Sequence, residues 1–293
     1  MMEVNINEDL ITVDPVNFLT QNGVEVSVLR LDKIHPIISG NKWFKLKFYL
    51  QEAQQKGYNQ IVSFGGAYSN HIVATAAACA ALGFRSTGII RGEEPKVYSP
   101  TLQTAQELGM KFLFVSREDY RQKRIPAEVN ESAYIIPEGG YGVKGAEGAA
   151  TIPYPLSAFD TICCAVGTGT MIAGLANSKP ASVKLHGFSV LKNNFSIQTE
   201  IQSLLKDPSI AITLHPNFHG GGYAKYTPQL IQFMNDLYHH SGIPTDFVYT
   251  GKLFYGVYQL IEEGYFKAGS RLLLIHSGGL QGNLSLGKGT LIF

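Results

Sequence analysis

The sequence predicts an α/β protein of two lobes, with parallel or mostly parallel twisted sheets flanked by helices. Three observations carry this expectation. From about Asn41 onward, helical patterns alternate with short β-branched or apolar runs. Gly, Pro or Asn punctuates each change, as in parallel strands joined by crossover helices. The chain has 293 residues, 45% hydrophobic and 16% charged, which excludes intrinsic disorder and allows two modest lobes or one large one.

In chain order, NKWFKLKFYLQEAQQKG reads as a helix with Phe44 and Phe48 on one face, ending at a left-handed cap on Gly57. QIVSF reads as a strand, and the loop GGAYSN leads into the Ala-rich helix IVATAAACAAL, stopped by Gly83. RSTGIIR is the next strand. The same alternation continues through SPTLQTAQELG, KFLFVS, AYIIP, TICCAV, SVKLHGFSV and RLLLIHS, which supply the strands of one or two sheets. No fixed period marks a solenoid or propeller. A smaller lobe is expected over 48–142, with 1–47 and 143–293 forming the larger one and EGGYGVKG as the crossing.

Composition narrows the partners. Lys plus Arg number 24 against 23 Asp plus Glu, a net charge of +1, so no global field favours nucleic acid or an anionic membrane. The longest nearly apolar run, 72–84, is shorter than the ~20 residues of a membrane span. The start MMEVNINEDL has acids where a signal peptide has a basic region, so a cytoplasmic location is expected. Three cysteines, two of them adjacent at Cys163 and Cys164, make neither a disulfide framework nor a metal spacing and read as core thiols. A small-molecule site with no metal is the default.

Several segments have the residue types that chemistry needs. Gly167, Thr168, Gly169 and Thr170 lie between a strand and a helix, where backbone N–H groups at a helix start bind phosphate; a tight turn accounts for the glycines equally well. Neither a P-loop ending nor GxGxxG spacing is present, which argues against a nucleotide. Lys42 and Lys45 fall at a helix start, where cations oppose the helix dipole, so a bound anion or a covalent role is indicated. A neutral lysine amine forms a Schiff base with an aldehyde, and a phosphate loop elsewhere in the chain points to the aldehyde of pyridoxal phosphate. Ser69 and Asn70 also suit an ordinary helix cap, and Tyr223 and Tyr249 also suit a core. His276 and Ser277 precede a glycine turn, but without GxSxG they do not make a serine hydrolase.

Taken in chain order, SGNKWFKL, FGGAYSN, GTGT, the GGGY and VYTGK pair, and IHSGG resemble the 1-aminocyclopropane-1-carboxylate deaminase and D-cysteine desulfhydrase family, over about 29–282. That family consists of pyridoxal-phosphate enzymes with the tryptophan synthase β-subunit type of fold. The resemblance implies a cofactor between the lobes and a homodimer. It makes Lys42 the Schiff-base lysine, Lys45 a neutraliser of the cofactor phosphate, and Asn70 the partner of the phenolic oxygen. Ser69 becomes a contact for the substrate carboxylate or a proton handler. Gly167 to Thr170 form the phosphate loop, Tyr223 and Tyr249 line the substrate side, and Thr250 and Ser277 contact the cofactor.

Two departures decide between activities. Ring-opening deaminases of the family have Glu after the second tyrosine and Leu after the terminal histidine, where this chain has Thr250 and Ser277. A carboxylate there keeps the pyridine nitrogen protonated, whereas a threonine offers only a neutral hydrogen bond. Expulsion of a thiolate needs less carbanion stabilisation than rupture of a carbon–carbon bond. The expectation is therefore a lyase for β-elimination from a small amino acid, D-cysteine above all, giving pyruvate, ammonia and sulfide. Ring opening to 2-oxobutyrate is the first alternative, and a non-catalytic amino-acid or cofactor binding protein the second. His71, where the deaminases have Gln, also marks a different pocket.

Overall fold

The computed structural model describes residues 4–129, 131–155 and 158–293. The first three residues, on which part of the signal-peptide argument rests, lie outside them. The chain begins with β1 (Val13–Pro15) and β2 (Glu25–Arg30), and α1 (Asn41–Gln55) then leads into β3 (Gln60–Gly65), α2 (Asn70–Leu82) and β4 (Arg85–Arg91). Next come α3 (Pro100–Glu107), β5 (Lys111–Val115), α4 (Arg117–Arg121), β6 (Tyr134–Ile136) and α5 (Val143–Ala149). The remainder is β7 (Thr161–Val166), α6 (Thr170–Ser178), β8 (Lys184–Ser189), α7 (Ile197–Gln202), β9 (Thr213–His215), α8 (Pro228–Ser241), α9 (Thr250–Glu262) and β10 (Arg271–His276).

These strands form two sheets, ordered β1-β2-β10-β7-β8-β9 and β5-β4-β3-β6. All pairings between named strands are parallel except β1 on β2. Side chains alternate across a strand, so a parallel sheet covered on both faces splits its apolar residues between two cores. In the larger sheet Val26, Val28, Cys163, Leu272 and Leu274 face the α8–α9 side, with Leu253 and Val257. Their neighbours Leu29, Ile162, Cys164, Leu273 and Ile275 pack with Phe44, Ile172 and Leu175. All three cysteines are free and buried. The smaller sheet packs Ile61 with Leu46, Leu50 and Ala78 on one face, and Val62, Phe64 and Ile89 with Tyr120 on the other.

Helix α1 therefore belongs to both cores: Phe44 faces the larger sheet and Leu46 and Leu50 the smaller. Its start is fixed by Gly40 at φ 64°, where a Cβ would fall 1.9 Å from the Ser277 carbonyl oxygen, and only glycine permits that approach. The Asn41 amide donates to the same oxygen at 3.2 Å. This contact sets the lysine-bearing turn of α1 against the loop after β10.

Two points differ from the sequence reading. β1 and β2 precede the point at which alternation was expected to begin, and β2 pairs in parallel with β10 near the centre of the larger sheet. SPTLQTAQELG forms α3, capped by Ser99, whose hydroxyl accepts from the Leu102 amide. VYTGK leads from a turn into α9, with Tyr249 as its N-cap residue. Among the described residues, no helix is long and apolar enough to cross a membrane.

Candidate active site

The carboxyl ends of β3, β4, β7 and β10 converge on a cavity of about 340 Å³, the position where open parallel sheets bind ligands. It is lined by Lys42, Lys45, Ser69, Asn70, Gly167, Thr168, Gly169, Tyr223, Tyr249 and Ser277. Residues from six sequence-distant segments thus meet at one site. Thr170 and Thr250 are not on its wall.

One end suits a phosphate. β7 runs into the turn at Gly167, and α6 starts with Gly169 as its cap at φ 76°. This turn leaves the first amides of α6 facing the cavity end, where a helix offers donors and partial positive charge. Thr168 and Thr170 hydroxyls lie 3.0 Å apart, and Lys45 Nζ reaches Thr168 Oγ1 at 3.5 Å. Lys45 is buried, and its pKa is pushed well below the usual lysine value by burial and then by Lys42. A buried amine at a helix start gains from an anion beside it, which restores the charged form.

Lys42 extends into the middle of the cavity. Its Nζ donates to Asn41 Oδ1 at 2.7 Å and lies 5.9 Å from the centre of the Tyr249 ring. Burial lowers its pKa to about 8, against an opposing pull from Asp246. A substantial fraction of the amine is therefore neutral near physiological pH, the form that attacks an aldehyde or takes a proton.

The opposite wall is the start of α2. Ser69 caps it, its Oγ accepting from the Ile72 amide at 3.3 Å, so the ordinary-cap reading holds for this hydroxyl. Asn70 is buried, and its Oδ1 has no hydrogen-bond partner within the described protein. Buried side-chain polar atoms are seldom left unpaired, so an orphan on a cavity wall marks a place for a ligand atom. His71 is similar. Ser63 Oγ gives its proton to the Ile136 carbonyl and lies 2.8 Å from His71 Nε2, so Nε2 carries the ring proton and the unpartnered Nδ1 is left as an acceptor. Burial and the two lysines hold His71 well below the usual histidine pKa.

Tyr223 and Tyr249 close the third side, their ring centres 6.2 Å apart at 74°. Burial, followed by Tyr223, raises the Tyr249 phenol well above its ordinary value. A tyrosine base needs the opposite shift, so Tyr249 is a hydroxyl donor here.

Thr250 departs from the expectation of a hydroxyl free for a cofactor ring. It is fully buried, and its Oγ1 donates to Asp246 Oδ2 at 2.6 Å while accepting from the Asp246 amide at 2.8 Å. The same carboxylate accepts from the amides of Val248, Tyr249 and Thr250. Asp246 thereby fixes the first turn of α9 and the direction of Tyr249. Lys252 adds a second tie: its buried Nζ donates to the Gly222 carbonyl at 2.7 Å, binding the Tyr223 loop to α9. Neither residue was singled out from sequence, although both lie within or beside the VYTGK motif. His276 is structural, with Nε2 2.7 Å from the Pro244 carbonyl oxygen, while Ser277 lines the cavity.

The amide-rich end with its buried amine, the central Lys42 and the orphaned Asn70 oxygen fit the phosphate, aldehyde and phenolic edge of pyridoxal phosphate in turn. The comparisons point to the same cofactor. A family model described as pyridoxal-phosphate dependent enzyme matches residues 10–278, and the chain belongs to that family of pyridoxal-phosphate dependent enzymes. Among individual proteins, it is 29% identical to the bifunctional D-cysteine desulfhydrase/1-aminocyclopropane-1-carboxylate deaminase of Arabidopsis thaliana, over 89% of this chain and 74% of the relative. It is 25% identical to a D-cysteine desulfhydrase of Yersinia pestis, over 88% and 87%. The crystal structure of a 1-aminocyclopropane-1-carboxylate deaminase homologue superposes with a TM-score of 0.83 at 25% identity, covering 93% of this chain and 90% of that one.

Proposed function

We propose that this chain is a lyase that removes a β-substituent from a small amino acid, D-cysteine or a close analogue, releasing pyruvate and ammonia. The observation that carries the choice is Thr250. At the first turn of α9 this chain has a neutral hydroxyl, already bonded to Asp246, where a ring-opening deaminase has a carboxylate. With no carboxylate at position 250 itself to hold a proton on the cofactor ring, the weaker electron sink suits expulsion of a good leaving group. The named activities of the Arabidopsis and Yersinia relatives include this reaction.

When bound, pyridoxal phosphate supplies the electron sink for a carbanion at the substrate α-carbon. The chain's own residues do the rest. Lys45, Thr168 and the amides of Gly167, Thr168 and Gly169 hold the phosphate, with Thr170 bracing the Thr168 hydroxyl. Asn70 bonds the phenolic oxygen, and Ser277 contacts the ring. Lys42 carries the cofactor and moves the proton at the α-carbon, its depressed pKa keeping a neutral fraction available. Ser69 and the start of α2 receive the substrate carboxylate, and Tyr223 and Tyr249 orient the substrate by their hydroxyls. The smaller lobe is assigned to 48–142 and the working assembly to a homodimer as parts of the same proposal.

The test supplies purified holoenzyme with D-cysteine, β-chloro-D-alanine, their L forms and 1-aminocyclopropane-1-carboxylate. Pyruvate from the D substrates should outpace 2-oxobutyrate from the cyclopropane. Faster ring opening would overturn the reading.

A further inference from the structure

We propose that the site accepts amino acids whose side chain carries a second anionic group of the carboxylate, sulfonate or phosphate class, and that Arg91 and Arg117 receive that group. This deepens the proposed function and rests on the substrate amine being placed at Lys42.

The first cavity opens into a second of about 510 Å³, and the two share Gly66, Asn70, Arg91, Tyr223 and Tyr249. A substrate held between Lys42 and Ser69 has this space beyond its side chain, far more than a thiol fills. Arg91 stands at the junction and Arg117 lines the outer chamber.

The chain has seven arginines. Arg30, Arg121, Arg124 and Arg271 pair with Asp32, Glu118, Asp119 and Asp160, and Arg85 donates to Asn59. Among the seven arginines, all of them described, Arg91 and Arg117 alone have neither an ion pair nor a side-chain hydrogen bond, and both line the outer cavity. Arg91 is also braced, its guanidinium carbon 5.9 Å from the centre of the Tyr120 ring. Tyr120 is itself buried and donates to Glu138 Oε1 at 2.6 Å. Glu138, the one carboxylate in this recess, is already engaged by Tyr120 and Lys123. Two exposed guanidinium groups line one recess and offer donors to an anion that the chain does not itself supply. The start of α2 already offers a separate place for the α-carboxylate, so the arginines are left for a second anion.

The experiment titrates holoenzyme with isosteric pairs, reading dissociation constants from the cofactor absorbance and by calorimetry: aspartate against asparagine, glutamate against glutamine, and cysteate and O-phosphoserine against serine, each as both enantiomers. The acidic member of at least one pair should bind about tenfold more tightly at low salt, and the preference should fall as ionic strength rises. Arg91→Met and Arg117→Met should each cut that acid-to-amide ratio severalfold. Equal binding of acid and amide, or arginine variants that leave the ratio unchanged, would overturn the inference. Pyruvate release from D-cysteine is measured on the same preparations. Release without acid preference defeats this inference alone, and acid preference without release defeats only the elimination reading.

Discussion

Lys252→Met isolates the tie between the two tyrosine-bearing segments. Methionine keeps a long unbranched stem in a site where lysine is 2% exposed but removes the ammonium that donates to the Gly222 carbonyl at 2.7 Å. A hydrogen bond from a charged donor is worth about 1.5–3 kcal/mol. Two things offset its loss. Gly222 O keeps the Lys225 amide at 3.2 Å, and a buried ammonium, whose pKa burial has already lowered to about 8, no longer needs desolvation. Global stability should therefore change by no more than about 1 kcal/mol, a few degrees in Tm. The loop is affected more, because Gly220, Gly221 and Gly222 have φ of 58°, 95° and 125° and Ala224 has 52°. Such a run has many competing conformations once its anchor is gone. If about 1.4 kcal/mol of bias toward the native position is lost, the ratio of competent to displaced Tyr223 falls about tenfold, and kcat/KM for pyruvate release falls by up to that factor. The decisive control is the same change made in Tyr223→Phe. A residue acting through the Tyr223 hydroxyl should cost little more there, whereas full multiplication of the two effects, or a single variant within twofold of the unmodified enzyme, would refute the argument.

Borohydride reduction of holoenzyme should fix the cofactor on the peptide containing Lys42, as mapped by mass spectrometry; label on Lys45 would reverse the two assignments. In apoprotein, covalent capture of pyridoxal phosphate should speed up as pH rises through about 8, because the attacking Lys42 amine must be neutral. Asp246 pulls the Lys42 pKa upward, so Asp246→Asn should move that midpoint to lower pH, and an upward move would contradict the electrostatics. Tyr249→Phe should leave cofactor attachment intact and lower kcat by about 10²-fold, near the floor for proton handling, since a phenol with a raised pKa donates rather than abstracts. Pyruvate formation within a few-fold of the unmodified enzyme would leave Lys42 as the sole proton carrier.

Much of the site was legible because its parts follow local rules. GGAYSN reads as a cap and GTGT as a strand-to-helix turn, and both form as read: Ser69 satisfies the Ile72 amide three residues on, and Gly169 takes the left-handed conformation that the second turn needs. β2 lies ahead of Asn41, outside the run of alternating helices and strands, although EVSVLR has the apolar pattern of a strand. At VYTGK, Asp246 collects three amides and a hydroxyl and starts α9.

That one carboxylate also explains why Thr250 does not stand beside Tyr249 on the cavity wall. Successive residues on a helix are about 100° apart, so a turn that aims Tyr249 at Lys42 directs Thr250 elsewhere, and Asp246 is there to meet it. Sequence adjacency had suggested two neighbouring contacts to one ligand; helix geometry separates them. The same reasoning applies to Arg91 and Arg117. What distinguishes them is the lack of a partner, which depends on where every acid in the fold ends up and is not encoded in any motif. Motifs therefore mark where the proposed cofactor site lies. In the proposed function, discrimination among substrates rests on through-space charge, on whether Asp246 occupies Thr250 and on whether two guanidinium groups remain free.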